Sequence, residues 1–159
     1  MDFLDSEIFK VWQLLEKNKT IYIMVGGFAT TFHGFSRVTQ DLDLWIKDTL
    51  ENRKSLRNVI KELDIGDFEG IETSEFIPGY TSIKLNSGIE LDIMTYLKGF
   101  EQVKFDECYS IAPVADIDGV SIKFLHINQL IEAKKAAGRA KDLMDLEELE
   151  KIRNAQNKK

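Results

Sequence analysis

The sequence predicts an α/β fold, and three observations carry that prediction. Strand-like and helix-like stretches alternate along most of the chain, the pattern of a sheet packed against helices. The chain has 159 residues, 43% of them hydrophobic and 30% charged, which suits one domain with a buried core and not a disordered segment. No repeat, low-complexity tract or linker interrupts it before a polar tail over 154–159, so residues 1–153 read as one domain.

The elements follow in order. Ser6–Lys17 reads as a helix with an apolar stripe of Ile8, Val11, Trp12, Leu14 and Leu15, and Asp5 or Ser6 stands where a cap is needed. Ile21–Val25 reads as a short buried strand, and Gly26-Gly27 as a turn after it. A short helix over Phe28–His33 is stopped by Gly34, with His33 at a helix end or partly buried. Gln40–Ile46 is the second strand. Thr49–Leu63 is a helix whose buried side is Leu50, Leu56, Val59, Ile60 and Leu63. Asp64–Pro78 carries only a weak signal and reads as a surface connection.

Tyr80–Asn86 and Ile89–Tyr96 are two strands, and Ser87-Gly88 between them suits a tight hairpin. Leu97–Ser110 is ambiguous, with room for a short helix. Ile111–Val114 and Val120–Phe124 are short strands, and Asp116–Gly119 between them is a turn. It lacks the downstream Glu and flanking helices of a calcium loop. Asn128–Ile152 is helical with an interruption at Gly138, and Leu130, Ile131, Leu143 and Leu146 are its core positions.

Composition removes several functional classes. A formal net charge of −6 and a pI near 5.0 argue against a generic nucleic-acid-coating surface, while leaving room for a local basic groove. Cys108 is the only cysteine, so an intrachain disulfide is ruled out and a reducing cytoplasm is the simplest compartment. Two histidines supply too few soft or imidazole ligands for zinc. The N-terminus is acidic and no apolar run reaches spanning length, so neither export nor membrane insertion is expected. No G-x-x-x-x-G-K-[ST] run occurs, which leaves a P-loop enzyme unsupported.

The chemistry concentrates in Val25–Ile46. Asp41 and Asp43 sit two apart in an apolar run, so on a strand both carboxylates leave one face. Aspartate is a poor strand former and two on one face repel, so a purely structural strand gains nothing from them. A divalent cation with a preference for hard oxygen ligands reverses that sign. Asp92, in I-E-L-D-I-M on a later strand, supplies a third carboxylate, and three on neighbouring strands can hold two Mg²⁺ ions. Glu90 shares a face with Asp92 and reads as merely exposed. Gly26-Gly27, between a strand and a helix, is where backbone N–H groups can approach a phosphate.

Three stretches together resemble the nucleotidyltransferase superfamily related to DNA polymerase β. They are G-G-F-A-T-T-F-H-G-F-S-R-V-T-Q-D-L-D-L-W, G-I-E-L-D-I-M and L-I-E-A-K-K-A-A-G-R-A-K-D-L-M-D-L-E-E-L. Within that superfamily the likeness is to small bacterial AbiEii-like and minimal nucleotidyltransferase proteins, and it spans Ile21 to Leu149. The resemblance implies a mixed β-sheet flanked by helices, with further helices at the C-terminus. It implies a nucleoside triphosphate substrate, with Gly26 and Gly27 at the phosphates. Asp41, Asp43 and Asp92 become ligands of Mg²⁺, or of Mn²⁺, and Asp92 also the general base. Where this chain has Gly26-Gly27 many members have Gly-Ser, so a hydroxyl contact to phosphate is absent here.

The same resemblance gives Arg37 and Thr39 a place in R-x-T-x-D-x-D. Arg37 then meets a phosphate or an acidic partner, or else forms a salt bridge where the strand begins; Thr39 is a turn or cap residue. The segment K-x4-R-x2-D-x2-D places Lys134 at the triphosphate, supported by Arg139 and Asp142, with Asp145 anchoring the helix. By spacing alone, Lys134, Gly138, Lys141, Asp142 and Asp145 can line one helical face.

The expected activity is transfer of a nucleoside monophosphate from an NTP to a protein side chain, an RNA 3′ end or a small molecule. The protein is expected to serve as the toxin-like half of a pair with a helical antitoxin partner. Two alternatives stand beside this one: a catalytically weak or inactive nucleotide-binding module, and a glycosyltransferase using D-x-D for a nucleotide-sugar.

Overall fold

The computed structural model describes residues 6–36, 41–76 and 80–158. Its strands are β1 (Tyr22–Val25), β2 (Asp41–Ile46), β3 (Tyr80–Lys84), β4 (Glu90–Met94), β5 (Val114–Ile117) and β6 (Val120–Lys123). Its helices are α1 (Ser6–Lys17), α2 (Gly26–Phe32), α3 (Leu50–Glu62), α4 (Gly70–Thr73), α5 (Phe105–Ile111), α6 (Ile127–Ala137) and α7 (Ala140–Asn157), with one 3₁₀ turn at Gln102–Lys104.

The main sheet is mixed and runs β1-β2-β4-β3. β2 is antiparallel to β1 and parallel to β4, and β3 and β4 form the antiparallel hairpin signalled by Ser87-Gly88. β5 and β6 make a second, two-stranded sheet. It is tied to the first where Leu125 N–H donates to the Met24 carbonyl at 2.9 Å. Phe124 beside that bond stacks on Phe32 of α2, centroids 4.3 Å apart.

Period-two alternation explains β2. Leu42 and Leu44 point into the core and are fully buried, while Asp41 and Asp43 leave by the other face. Helical periodicity explains α1, which buries Ile8, Val11, Trp12 and Leu15. Trp12 meets Phe28 edge-on at 5.8 Å, and its indole N–H reaches the Met24 sulfur at 3.4 Å.

Several expectations change. β1 starts at Tyr22, and Gly26-Gly27 open α2 instead of forming a separate turn. Leu50, expected in the core, is 56% exposed, while Asn52 and Arg53 of the same helix are buried. Polar groups displace the apolar residue there because two strand ends need hydrogen-bond partners. The Asn52 side chain accepts from Ile21 N–H at 2.7 Å and donates to the carbonyls of Ile21 and Lys47 at 2.9 and 2.7 Å. Arg53 joins Asp48 at 2.6 Å and donates to the Ser74 carbonyl at 2.6 Å, which fastens the 64–76 connection and its short helix α4 to α3.

Ile111 ends α5 and starts no strand; Pro113 stops the helix, and β5 begins at Val114. Asp116 accepts from Gly119 N–H at 2.9 Å, so that segment is the expected turn. The chain breaks at Gly138, which takes φ +65° and ends α6, and residues 154–157 extend α7 rather than fraying. Leu143 is 56% exposed, because α7 folds back on α6 and turns that position outward.

Candidate active site

The parallel register of β2 and β4 sets Asp41 opposite Glu90 and Asp43 opposite Asp92. Four carboxylates therefore stand in a two-by-two grid on one sheet face. One oxygen each from Asp41, Glu90 and Asp92 lies within 4.8 Å of the others. Glu90, expected to be merely exposed, belongs to this cluster. Its membership follows from the pairing register, which the sequence does not contain.

Like charges this close oppose one another. The Asp43 carboxyl is pushed up to about 7, first by burial, then by the charge of Asp92, a hydrogen bond shared with Asp92 and the charge of Asp41, while Lys141 pulls the other way. All four donors are hard anionic oxygens, the set that suits Mg²⁺ or Mn²⁺ and not a soft metal. Ser82, directly across from Asp92 on β3, donates its hydroxyl to Asp92 Oδ1. Sequence reasoning missed Ser82, because a two-residue Ser87-Gly88 turn would set Ile83 opposite Asp92, whereas the hairpin pairs Leu85 with Ile89 around residues 86–88 and so places Ser82 there.

Gly26 has a specific reason to be glycine. Its φ is +66°, and a Cβ built there would lie 2.0 Å from Asp43 Oδ2. The start of α2 and the carboxylate grid are thus in direct contact, which brings Gly26-Gly27 to the aspartates.

Above the grid opens a cleft of about 670 Å³. Gly26, Gly27, Asp41, Asp43 and Asp92 line its floor, and Tyr80, Met94 and Tyr96 line one wall. The facing wall carries Lys134, Arg139 and Lys141 from α6 and α7. These residues do not share one helical face; the break at Gly138 turns them into two sides of a helical hairpin. Lys134 Nζ is 2.9 Å from Asp145 and 3.9 Å from Asp142, and the residue is only 6% exposed. Arg139 grips the Asp142 carboxylate with Nε at 2.6 Å and Nη2 at 3.2 Å, and its backbone N–H donates to the same group at 3.1 Å.

His33 lies apart from the cleft lining. It caps α2, and its Nε2 is 2.7 Å from the Leu125 carbonyl. Arg37 and Thr39 fall outside the described residues.

No protein-family model matches the chain, and no curated protein sequence matches it. Solved structures do. A candidate nucleotidyltransferase of Thermotoga maritima aligns with a TM-score of 0.59 at 16% identity, covering 96% of this chain and 91% of that one. The lincomycin-bound lincosamide antibiotic adenylyltransferase LnuA aligns with a TM-score of 0.59 at 16% identity, covering 93% and 97%. The antibiotic-resistance factor ANT(2'')-Ia aligns with a TM-score of 0.52 at 16% identity, covering 99% and 94%. Identity this low carries the fold and nothing finer.

Proposed function

We propose that this chain, which has the nucleotidyltransferase fold, moves a nucleoside monophosphate from an NTP to an acceptor hydroxyl and releases pyrophosphate. The observation that carries the reading is the carboxylate grid at the floor of the cleft, in contact with Gly26. Asp41, Asp43 and Asp92 would hold Mg²⁺ or Mn²⁺, with Glu90 beside them. The bound metal supplies charge neutralisation at the phosphates and a lowered pKa for the acceptor hydroxyl.

The chain's own residues divide the remaining work. The Gly26-Gly27 backbone receives the phosphates, with Arg37 and Thr39 close by in sequence. Ser82 steadies Asp92 through Oδ1, and the Asp92 carboxylate takes the proton of the acceptor hydroxyl as the acceptor oxygen bonds to the α-phosphorus. The bond from that phosphorus to the α–β bridging oxygen breaks, and pyrophosphate leaves. Lys134 and Arg139 complete the nucleotide side of the cleft. The acceptor enters along Tyr80 and Tyr96, which are 49% and 43% exposed.

In this reading the protein is an AbiEii-like cytoplasmic enzyme, the toxin-like half of a pair with a helical antitoxin. Its acceptor is a protein side chain, an RNA 3′ end or a small molecule; the antibiotic-directed neighbours support the last of these. The second reading, a nucleotide-binding module without turnover, is favoured by one feature: Gly27 offers no hydroxyl to a phosphate.

Incubating each α-³²P-labelled NTP with the protein, Mg²⁺ and cell extract tests these readings together. Label transferred to an acceptor by the wild type and not by Asp41→Asn/Asp43→Asn is the expected outcome. Mg²⁺-dependent NTP binding without pyrophosphate release establishes the second reading, and consumption of a nucleotide-sugar in place of NTP overturns both.

A further inference from the structure

The acceptor side of the cleft already contains hydroxyl groups of the chain itself. Among the described residues that line the cleft, Tyr80 and Tyr96 are the two that carry a hydroxyl, and no serine or threonine joins them. Ser82 stays outside that lining, its hydroxyl donated to Asp92. The other two of the chain's four tyrosines are placed elsewhere. Tyr22 is buried in the core, and the Tyr109 ring stacks on Phe105 and receives the Lys123 ammonium at 3.6 Å.

Strand register ranks the two cleft tyrosines. Tyr80 of β3 stands opposite Met94 of β4, so Asp92 is its diagonal neighbour on the same sheet face. Diagonal partners lie about 7–8 Å apart, a gap that an aromatic side chain spans. Tyr96 is four residues beyond Asp92, about 13 Å away at the rise of an extended chain. Tyr80 is half exposed, and its phenol has no hydrogen-bond partner among the described residues, so none of them holds the ring away from the carboxylates. A phenol also gives up its proton more readily than an aliphatic hydroxyl does.

We propose that Tyr80 is a self-acceptor: with an NTP bound and no external acceptor in the cleft, its phenolic oxygen takes the nucleoside monophosphate. Tyr80 Oη bonds to the α-phosphorus, and the bond from that phosphorus to the α–β bridging oxygen breaks. Pyrophosphate leaves, and the phenolic proton passes to the Asp92 carboxylate. The product is a tyrosyl–nucleotide phosphodiester seated on the acceptor side of the cleft, where it closes that side to other acceptors. This assignment rests on the nucleotidyltransferase reading and deepens it, because it names a residue of the chain as an acceptor.

The test incubates the purified chain with each α-³²P-labelled NTP and Mg²⁺, without extract, and follows protein-bound label, intact mass and the modified peptide. Wild type is expected to gain the mass of a single nucleoside monophosphate, mapped to Tyr80, at a per-chain rate that does not change with protein concentration. Tyr80→Phe loses the label at an unchanged melting temperature. Tyr109→Phe, whose ring lies outside the cleft lining, is labelled like wild type, and Asp41→Asn/Asp43→Asn stays unlabelled. The assignment is overturned if the label maps to another residue, or if Tyr80→Phe is labelled as fully as wild type. A per-chain rate that rises with protein concentration places the transfer between copies and overturns it too. A purified chain that binds Mg²⁺–NTP and stays unlabelled, while passing label to an acceptor in cell extract, overturns this assignment alone. If wild type neither binds Mg²⁺–NTP nor transfers label in either setting, the nucleotidyltransferase reading falls and takes this assignment with it.

Discussion

Gly26→Ala is the sharpest single perturbation of the site. A Cβ at this position would stand 2.0 Å from Asp43 Oδ2, 2.8 Å from its Cγ and 3.1 Å from its Cβ. No rotation of the new methyl relieves this, so the Asp43 side chain must retreat by roughly 1 Å or more to reach ordinary van der Waals separation. Two costs add. A non-glycine residue at φ +66° costs about 1 kcal/mol, and forcing Asp43 off its rotamer costs about 1 kcal/mol more. Gly88→Ala supplies the control, because Gly88 has φ +94° with nothing within 4 Å of an added Cβ, so it carries the backbone cost alone. Urea unfolding is expected to show Gly26→Ala about 2 kcal/mol below wild type and Gly88→Ala about 1 kcal/mol below. The larger effect falls on function: a shift of about 1 Å in one member of a catalytic cluster can cost on the order of 100-fold in rate. Mg²⁺-dependent thermal stabilisation should therefore vanish in Gly26→Ala and persist in Gly88→Ala. Equal stabilities with an intact Mg²⁺ response in both variants would refute the contact between Gly26 and the grid.

Further tests follow from the same geometry. The Asp43 carboxyl is raised to about 7, so between the ordinary carboxylate range near pH 4 and pH 7 the folded chain holds a proton that the unfolded chain has released. Metal-free protein should accordingly lose stability as pH rises through that window. Asp43→Asn should flatten the loss and abolish the Mg²⁺ response, as melting curves at pH 4.5–8 would show. Asn52→Ala leaves Ile21 N–H and the Ile21 and Lys47 carbonyls without their partner, and a loss of about 3 kcal/mol in urea unfolding is expected. Burial, with help from Glu107 and Glu132, pushes the Cys108 thiol up to about 11, so native protein at pH 8 should react with a thiol reagent far more slowly than urea-unfolded protein.

Local pattern carried much of this architecture, and pairing carried what it lacked. The period-two run around Asp41 and Asp43, the helical stripe of Ile8–Leu15 and the Ser87-Gly88 turn are local signals, and each forms close to its expected bounds. Glu90 and Ser82 were invisible as site residues because their places depend on a parallel register between β2 and β4 and on the hairpin that pairs β3 with β4. Lys134 was legible as a cleft residue, but its double ion pair depends on α7 turning back at Gly138, which spacing along one continuous helix does not describe. The same turn at Gly138 put Leu143 outside, and hydrophobicity misplaced Leu50 for another reason. Where strand ends and loops need hydrogen-bond donors and acceptors inside the protein, Asn52 and Arg53 take the buried positions.

The strand that carries the aspartates also explains how the fold tolerates them. On its inward face and at its end, β2 buries Leu42, Leu44, Trp45 and Ile46 completely. Each contributes about 1.5–3 kcal/mol by leaving water, so the strand is held by far more than one raised carboxyl removes. Trp45 adds direction, since its indole N–H donates to the Thr95 carbonyl at 3.0 Å just beyond β4 and so helps fix the register that pairs Asp43 with Asp92. The apolar half of β2 therefore sets the geometry of its acidic half. Removing the indole N–H with Trp45→Phe ought to disturb Mg²⁺-dependent stabilisation although Trp45 lies outside the cleft lining, whereas trimming Leu56 of α3 to Val would lower stability and leave that response intact.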